Sequence, residues 1–379
     1  MTQIYLIRHA EAEGNLYRRV QGHYDGDVTA RGRRQIDMLA ERFRDVHLDG
    51  LYSSDLRRAV ATASAITRYH DLPLITTPRL REVSMGCWED MPWGEVEYNQ
   101  REALVKFNCD PESWEVKGCE TFPDLVRRMR GIILELAEKH RGQTIAAVSH
   151  GMAIRALLAS AMGISSREIS RIPHADNTAV SLLNVEGENI EVVFFNDNSH
   201  LPEELSTFAR QTWWKEKDGI DRHNLRFEPM NPIEEKELYI KCYADSWKSV
   251  YGSLRGFDGD VYWKSAVSHY KKNPMSIMKA MLGDELAGVV ELDTERGKEE
   301  GAGWITLCYM APEFRGRRLG IQLIGHAVST FRNLGRSALR LHVSEANKRA
   351  IEFYKSYGFR QIGIDQGVNG QMLLMEKEI

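Results

Sequence analysis

Apolar residues follow two alternating patterns along the first 200 residues, short continuous runs and stripes at helical spacing. The runs predict buried strands at 3–7, 48–54 and 143–151. The stripes predict helices that begin at Thr29, at 55–70 and after the capping pair Thr121 and Asp124. Alternating strands and helices of this kind predict a largely parallel sheet that is covered by helices.

The pattern changes after residue 200. Residues 202–224 are polar and charged, with Leu205, Phe208 and Thr212 at helical spacing, which predicts a linker helix and a turn. Trp213 and Trp214 are expected to pack between domains. From Leu225 the pattern predicts a strand, two helices, a hairpin that turns at Gly283-Asp284, a strand at 303–310, a helix, a strand, a helix and a final strand pair. We therefore expect two domains, 1–201 and 225–379, of which the second has a mixed α/β fold.

Composition and charge narrow the possible functions. The chain has 379 residues, 42% hydrophobic and 27% charged, which is typical of a soluble globular protein. The net charge of −4 gives no electrostatic indication of nucleic acid or an anionic membrane as a partner. Five cysteines without a CxxC pair, and no signal-peptide pattern, predict reduced thiols in the cytoplasm. The oligomeric state stays open.

Basic residues stand where the predicted strands of the first domain end. Arg8 and His9 follow the first strand, and His150 and Gly151 follow the strand at 143–151. Ligands of open α/β sheets bind outside the carboxyl ends of the strands. The helix at 55–70 contributes Arg57 or Arg58, and the loop after the first strand offers further donors at Asn15, Gln21 and Gly22. Converging cations and donors of this kind can hold a phosphoryl group. Asn15 and Gln21 have a second interpretation, as caps of turns.

Four ordered motifs in this half resemble the histidine phosphatase, or phosphoglycerate mutase-like, superfamily. They are "LIRHAEAEGN" (6–15), "SSDLRRAVATA" (53–63), "LREVSMGCWED" (80–90) and "VSHGMAIRAL" (148–157). The resemblance implies that His9 is the nucleophile that becomes phosphohistidine, and that Glu82 is the general acid and base. Arg8, Arg58 and His150 would bind the phosphoryl oxygens of a small phosphomonoester, and no metal is implied. Ala10 replaces the usual glycine, which is tolerated if its φ is negative.

The segment 83–120 is predicted to recognise the substrate. It holds nine acidic residues against three basic ones, together with Trp88, Trp93, Tyr98 and Trp114. An acidic, aromatic lid would repel small polyanions and suit an apolar, ring-bearing or cationic phosphomonoester. This counts against a phosphoglycerate mutase, the alternative within the same chemistry. In the other interpretation, many of these carboxylates face water away from the pocket.

A basic loop in the second domain leads from a strand into an apolar helix. The stretch "MAPEFRGRRLGIQLIGHA" (310–327) places three arginines and two glycines before a helix N-terminus, where free backbone N–H groups bind anions. Together with "EANKRAIEFYKSYGF" (345–359), it resembles the GNAT family of acetyl-CoA-dependent acyltransferases. The resemblance assigns the cofactor pyrophosphate to the loop residues Arg315, Gly316, Arg317, Arg318, Leu319 and Gly320. Arg318 stands where the family has glycine, and its N–H can still point at phosphate if its φ is negative.

The same resemblance implies further contacts with acetyl-CoA. The backbone of 307–310, which ends at Met310, would bind the pantetheine arm, Asn347 would contact the cofactor, and Tyr354 would protonate the thiolate that leaves. Tyr354 could instead be a packed helix residue, and Glu291 is only a weak candidate for the general base. We therefore expect a phosphatase fused to an N-acetyltransferase with an amine acceptor. The alternative for the second domain is a regulatory module that senses acyl-CoA without transferring the acyl group.

Overall fold

The computed structural model describes residues 1–210 and 220–379, which divide into two compact units, Met1–Arg222 and His223–Ile379. The predicted domain bounds of 1–201 and 225–379 stay predictions. Within the predicted linker, the described residues form two short 3₁₀ turns, Glu203–Leu205 and Phe208–Arg210, in place of the start of a continuous helix. Thr212, Trp213 and Trp214 lie outside the described residues.

The first unit contains a six-stranded sheet in which the four strands at one side are parallel. The strands are β1 (Thr2–Arg8), β2 (Gly50–Ser53), β3 (Leu74–Thr76), β4 (Thr144–Ser149), β5 (Val180–Glu186) and β6 (Asn189–Asp197). Their order in the sheet is β3-β2-β4-β1-β5-β6, in which β5 is antiparallel to both of its neighbours, β1 and β6. The predicted helix-covered, mostly parallel sheet is confirmed.

Helices cover both faces of this sheet. They are α1 (Glu13–Tyr17), α2 (Ala30–Phe43), α3 (Arg57–Thr67), α4 (Trp93–Cys109), α5 (Phe122–Lys139) and α6 (Gly151–Ala161). Alternate side chains of β1 enter two different cores: Leu6 packs with residues of α5 and α6, whereas Ile7 packs with residues of α2 and α3. Thr29 and Thr121 cap α2 and α5 through their side chains, as predicted.

The second unit has a seven-stranded sheet with one parallel pair of strands. The strands are β7 (Arg226–Pro229), β8 (Ile277–Leu282), β9 (Glu285–Asp293), β10 (Ala302–Met310), β11 (Ala338–Ser344), β12 (Arg360–Gly367) and β13 (Gly370–Glu378). Their order in the sheet is β12-β13-β11-β10-β9-β8-β7, and β10 and β11 are the parallel pair. The helices are α7 (Lys236–Tyr251), α8 (Gly259–Lys272), α9 (Ile321–Asn333) and α10 (Lys348–Ser356). The predicted mixed α/β fold is confirmed, as is the hairpin at Gly283, whose φ is +60°.

No helix in the described part of the chain is both long and apolar enough to cross a membrane. Within residues 1–210 and 220–379, no three His, Cys, Asp or Glu side chains are grouped so that they could hold a metal ion.

Candidate active sites

The ends of β1 and β4 bring two histidines together in the first unit. These strands pair in parallel, with Arg8 beside Ser149, so the residues that follow them, His9 and His150, are neighbours. Their ring centroids are 5.1 Å apart. Both side chains are buried, at 5% and 0% exposure. The carboxyl edge of the parallel strands therefore holds the pair of rings that the sequence predicted there.

Hydrogen bonds fix the tautomer and the backbone of His9. Its Nδ1 lies 2.7 Å from the carbonyl oxygen of Ala10. A carbonyl can only accept, so Nδ1 carries the hydrogen and Nε2 keeps the lone pair. The side chains of Asn177 and Thr62 bond the carbonyl of His9 and the N–H of Ala10. Ala10 is not among the described residues with positive φ, so its β-carbon causes no backbone strain.

The buried guanidinium group of Arg58 and the partly buried one of Arg8 flank the histidines. Arg58 donates from Nη1 and Nη2 to the carbonyls of Tyr24 and Gly22, at 2.8 and 2.7 Å, and Arg8 donates to the carbonyl of Ala175. Burial lowers the pKa of Arg58 to about 10, which leaves it charged at neutral pH. Burial, followed by the charges of Arg58 and Arg8, lowers the pKa of His9 well below its ordinary value. The Nε2 lone pair of His9 is therefore available at neutral pH.

Several polar atoms of this cluster are buried without a protein partner. They are the Nε atoms of Arg8 and Arg58 and both ring nitrogens of His150, for which the described residues supply no hydrogen bond. Burial and the charge of Arg58 lower the pKa of His150 well below its ordinary value. Buried polar groups are almost always bonded, so unpaired ones side by side indicate the position of a ligand. Donors and guanidinium charge at this point suit an anion.

Glu82 lies at the N-terminus of α6. Its carboxylate accepts the N–H groups of Met152, Ala153 and Val83, at 3.0, 2.8 and 3.0 Å. Its charge acts on both Arg8 and Arg58, opposing the effect of burial on the pKa of each. The first turn of α6 thus holds this carboxylate close to the two guanidinium groups.

The remaining predicted residues of this site differ in how they are placed. Gly151 begins α6, and a β-carbon there would lie 3.4 Å from Nε of Arg8. The amide of Gln21 has no protein partner among the described residues for either of its atoms. Asn15 caps α1, since its Oδ1 accepts the N–H of Ala12 at 3.1 Å. Gly22 gives its N–H to Glu89. Arg57 is exposed and bonds Asp25, so Arg58 is the arginine of α3 that enters the cluster.

In the second unit, β10 and β11 pair only over their first halves. The parallel ladder ends at Ile305 beside Leu341, whereas β10 continues to Met310 in pairing with β9. The backbone of 307–310 thus has no described ladder partner on the side of β11. The loop that follows reaches Gly320, and α9 begins at Ile321. A diverging strand edge next to a helix N-terminus offers backbone groups to an elongated ligand.

The conformation of the loop corrects one expectation. Arg318 has a φ of +59°, not the negative value on which its predicted N–H contact depends. The left-handed region is unfavourable for residues with a β-carbon, so glycine would fit this position without strain. Arg315 is also engaged within the unit: its Nε donates to the carbonyl of Met310 at 2.8 Å, and its Nη2 pairs with Asp245. Arg317 lies over the ring of Phe314, with 5.2 Å to the ring centroid.

Tyr354 on α10 and Cys308 on β10 interact electrostatically. Burial, followed by the interaction with Cys308, raises the pKa of Tyr354 well above its ordinary value, and burial raises the pKa of Cys308 to about 12. Tyr354 is therefore protonated at neutral pH, beside the part of β10 that diverges from β11. Asn347 caps α10, since its Oδ1 accepts the N–H of Ala350 at 3.1 Å.

Glutamates on strands are usually exposed to solvent, but Glu291 is not. It is 2% exposed, and its two oxygens accept from Tyr239 at 2.8 Å and from His269 at 2.7 Å. The other ring nitrogen of His269 lies 3.2 Å from Asp293. These four side chains form a buried network in which both oxygens of Glu291 are engaged.

Comparison with known proteins identifies both units. Residues 4–198, just over half of the chain, match the model of the histidine phosphatase superfamily (branch 1). The chain belongs to the histidine phosphatase superfamily. Residues 236–359 match the acetyltransferase (GNAT) family, so a histidine phosphatase domain and a GNAT acetyltransferase domain occur in one chain.

Individual relatives match the histidine phosphatase half. Phosphoserine phosphatase 1 of Hydrogenobacter thermophilus is 31% identical over 203 residues, which are 54% of this chain and 96% of that protein. "Probable phosphoglycerate mutase GpmB" of Yersinia pestis is 33% identical over 172 residues, which are 45% of this chain and 80% of that protein. The solved structure of YhfR from Bacillus stearothermophilus has a TM-score of 0.51 and 29% identity, and the match covers 53% of this chain and 99% of that one.

The lid of the phosphatase domain differs from its prediction. Trp88 and Trp114 are 0% and 3% exposed, because they pack with Trp93 and Phe107 into an aromatic cluster. Trp88 and Trp114 are part of a core, so these two rings are not free to contact a substrate. Most of the lid carboxylates bond within the domain, namely Glu89, Asp90, Glu97, Glu102, Asp110, Glu112 and Glu120. The charge of the lid therefore does not decide between a phosphatase and a mutase.

Sequence reasoning missed four residues that shape the phosphatase site. Asn177 and Thr62 fix the backbone around His9, His23 donates from its ring to the carbonyl of Glu82 at 3.0 Å, and Glu89 holds the loop on which Arg58 rests. Two of the four had a signal, since Glu89 lies in the motif "LREVSMGCWED" and Thr62 in "SSDLRRAVATA".

Proposed function

We propose that the histidine phosphatase domain hydrolyses a small phosphomonoester through a phosphohistidine at His9, without a metal ion. The observation that carries this proposal is the state of His9, whose Nδ1 is bonded and whose neutral Nε2 lies near two guanidinium groups with buried, unpaired Nε atoms. Phosphate-monoester hydrolysis is among the slowest uncatalysed reactions, and a covalent intermediate divides its barrier.

In the first step, Nε2 of His9 attacks phosphorus and the bond to the ester oxygen breaks. Arg8, Arg58 and His150 bind the phosphoryl oxygens, where guanidinium groups stabilise the charge that develops. The alcohol that leaves takes a proton from the carboxyl group of Glu82. In the second step, Glu82 accepts a proton from water, the water oxygen attacks phosphorus, and the bond to His9 breaks to release inorganic phosphate.

The names of the relatives suggest which substrates to test first. One is a phosphoserine phosphatase and another is named as a phosphoglycerate mutase. Phosphoserine and the phosphoglycerates are therefore the substrates that would distinguish hydrolysis from phosphoryl transfer. Full-length protein in EDTA should release inorganic phosphate from p-nitrophenyl phosphate and from at least one of these esters. Isomerisation of 3-phosphoglycerate without release of phosphate would instead establish the mutase alternative. Complete loss of activity in EDTA, restored by a divalent ion, would contradict the metal-free proposal.

We also propose that the GNAT domain binds acetyl-CoA, which supplies an acetyl thioester, and transfers the acetyl group to an amine. Gly316, Leu319, Gly320 and the first N–H groups of α9 would hold the pyrophosphate, with charge from Arg317 and Arg318. The backbone of 307–310 would bind the pantetheine arm. The burial of Tyr354, which raises the pKa of its hydroxyl group well above the ordinary value, supports Tyr354 as the group that holds a proton at this edge. The five cysteines form no disulfide, which supports a reducing compartment, the cytoplasm.

Acetyl-CoA turnover with a panel of amines tests this second proposal. Consumption of acetyl-CoA that depends on an amine, and that falls in Tyr354→Phe with unchanged acetyl-CoA affinity, is the expected result. Binding of acetyl-CoA without turnover of any amine would favour the alternative of an acyl-CoA-sensing domain. Absence of binding would contradict both.

A further inference from the structure

The carboxylate of Glu89 accepts four backbone N–H groups from two separate segments of the phosphatase domain. Oε1 accepts from His23 and Met85 at 2.8 and 2.9 Å, and Oε2 accepts from Tyr24 and Gly22 at 2.8 and 3.2 Å. Hydrogen bonds to an ionised acceptor are roughly twice as strong as neutral ones. Glu89 therefore ties the loop 22–24 to the chain that follows Glu82.

The same loop carries Arg58 on its other side. The carbonyls of Gly22 and Tyr24 accept from Nη2 and Nη1 of Arg58, at 2.7 and 2.8 Å. In this short segment the N–H groups thus face Glu89 while two carbonyls face Arg58. Arg58 is fully buried, and the described residues give its Nε no partner. The position of its guanidinium group consequently depends on where Glu89 holds the loop.

The fit between Glu89 and this loop leaves no room for a side chain. A β-carbon at Gly22 would lie 2.3 Å from Oε1 of Glu89 and 2.6 Å from the carbonyl oxygen of Val83. The carbonyl of Val83 is backbone, so this contact could not be relieved by the rotation of a side chain. Glycine at position 22 is therefore a condition of the contact between the carboxylate and the loop.

We infer that Glu89 is a positioning residue of the phosphatase site, which acts by fixing the Gly22–Tyr24 loop on which Arg58 rests. The inference depends on the proposed function, because Arg58 matters to the rate only if it binds the phosphoryl group. A displacement of about 1 Å in a group that orients substrate can cost on the order of 10²-fold in rate. In Glu89→Gln, the amide nitrogen can no longer accept, so part of the loop loses its anchor.

The test compares full-length Glu89→Gln with Glu102→Gln, the same substitution on the same lid. Glu102 is exposed and pairs with Lys106 at 2.7 Å, its one ion pair among the described residues, so its loss should leave phosphatase kinetics unchanged. For Glu89→Gln, kcat/KM for p-nitrophenyl phosphate should fall about 10- to 100-fold, by analogy with the range seen when a residue that orients a metal ligand is removed. Competitive inhibition by inorganic phosphate should weaken in parallel, because both ligands need Arg58. Equal kinetics in the two variants would overturn the inference and leave the proposed function intact.

A coupling measurement separates positioning from a general structural role. Arg58→Lys keeps the charge but loses the planar fork that bonds both carbonyls. If Glu89 acts through Arg58, Glu89→Gln should lower kcat/KM by a much smaller factor in the Arg58→Lys protein than in the wild-type protein. Equal reductions of kcat/KM in the two proteins would overturn the inference. Gly22→Ala adds a β-carbon at the contact with Glu89 and should displace the loop in this way. It should therefore reproduce the fall in kcat/KM of Glu89→Gln while the circular dichroism spectrum stays native.

The remaining outcomes are also decisive. If neither Glu89→Gln nor Gly22→Ala folds, Glu89 serves the fold and not the position of Arg58, and the inference is overturned. If the wild-type protein hydrolyses no phosphomonoester, the proposed function fails and the inference fails with it.

Discussion

Buried histidines lie among arginines in the phosphatase domain and between carboxylates in the acetyltransferase domain. Burial, followed by the charge of Arg58, lowers the pKa of both His9 and His150. Burial acts in the same direction on His269, but there Glu291 and Asp293 outweigh it and raise the pKa. The phosphatase histidines are thus kept neutral, as a nucleophile requires, whereas His269 is stabilised as a cation.

Hydrogen bonding also distinguishes the histidine cluster of the phosphatase domain from that of the acetyltransferase domain. His150 and the Nε atoms of both site arginines have no protein partner among the described residues, whereas both ring nitrogens of His269 bond carboxylates. An unpaired buried donor costs free energy that a bound anion would recover. Unfilled hydrogen-bonding capacity therefore indicates a ligand site, and a fully bonded network of similar burial indicates a contribution to the fold.

The largest expected effect separates these two kinds of histidine by activity. His9→Ala should abolish phosphatase turnover, by on the order of 10⁴-fold or more, together with the acid-labile phosphoenzyme, since it removes the nucleophile. His269→Gln should leave the phosphatase rate unchanged and lower the stability of the acetyltransferase domain. Steady-state kinetics and acid-quench labelling measure the first effect, and thermal unfolding measures the second. A phosphoenzyme that survives in His9→Ala would remove His9 from the nucleophile role.

The next prediction concerns two buried glutamates, Glu82 and Glu291. Glu82→Gln should slow hydrolysis by about 10²- to 10⁴-fold for a poor leaving group such as an alkyl alcohol. It should slow p-nitrophenyl phosphate much less, because nitrophenolate leaves without a proton. Glu291→Gln should change neither rate. Kinetics over a series of esters with graded leaving groups measure this difference. A uniform reduction along the series would mean that Glu82 contributes only as the cap of α6.

These placements show which parts of the site the sequence could predict. His9 and His150 follow apolar runs, and the parallel pairing of such strands brings their ends together, so local pattern and one topological rule sufficed. The resemblance of "SSDLRRAVATA" to the family motif favoured Arg58 over Arg57. Glu89 could not be predicted in the same way, because the N–H groups that it binds lie at residues 22–24 and 85, and only tertiary structure brings them to one carboxylate.

Other features depend on packing that composition does not describe. An aromatic-rich segment is compatible with both a binding surface and a small core, and the cluster around Trp88 is a core because α4 brings Trp93 and Phe107 against it. The positive φ of Arg318 likewise follows from how the loop joins β10 to α9. Sequence pattern thus predicted both folds and the residues that cluster at the ends of β1 and β4, but not the residues that position them.

The two electrostatic environments should give opposite pH dependence of stability. Burial, followed by the charge of Arg42, lowers the pKa of His200 in the phosphatase domain to about 4, so below pH ~6.5 the unfolded chain binds a proton that the folded one does not. Its contribution to stability therefore falls as pH drops from about 6.5 to about 4. The contribution of His269 is fully present below pH ~6.5, and it is lost as pH rises through its raised pKa.

Differences between each variant and wild type measure these contributions. His200→Gln should gain stability relative to wild type on acidification, with a slope of up to about 1.4 kcal/mol per pH unit. The deficit of His269→Gln should be largest at low pH and shrink above neutrality. Denaturant unfolding from pH 4.5 to 8.5 gives both curves. Slopes of the same sign in the two variants would contradict the electrostatic comparison.

The smallest expected effect compares how the two domains hold their arginines. Arg58 is held through its side chain by two carbonyls, whereas Arg318 is placed by a left-handed backbone with φ +59°. Arg318→Gly should therefore stabilise the acetyltransferase domain by about 1 kcal/mol through relief of that strain. Arg317→Gly is the matched control: it removes the same charge one residue away, where φ is not positive, and should destabilise the domain by about 0.5–1 kcal/mol.

Calorimetric titration with acetyl-CoA then distinguishes binding through the backbone of the loop from binding through its charge. If the loop binds through N–H groups, Arg318→Gly should keep the wild-type affinity and salt dependence. If charge dominates, both variants should bind more weakly, with a shallower salt dependence. Destabilisation by Arg318→Gly equal to that of Arg317→Gly would show that the left-handed conformation carries no strain at this position.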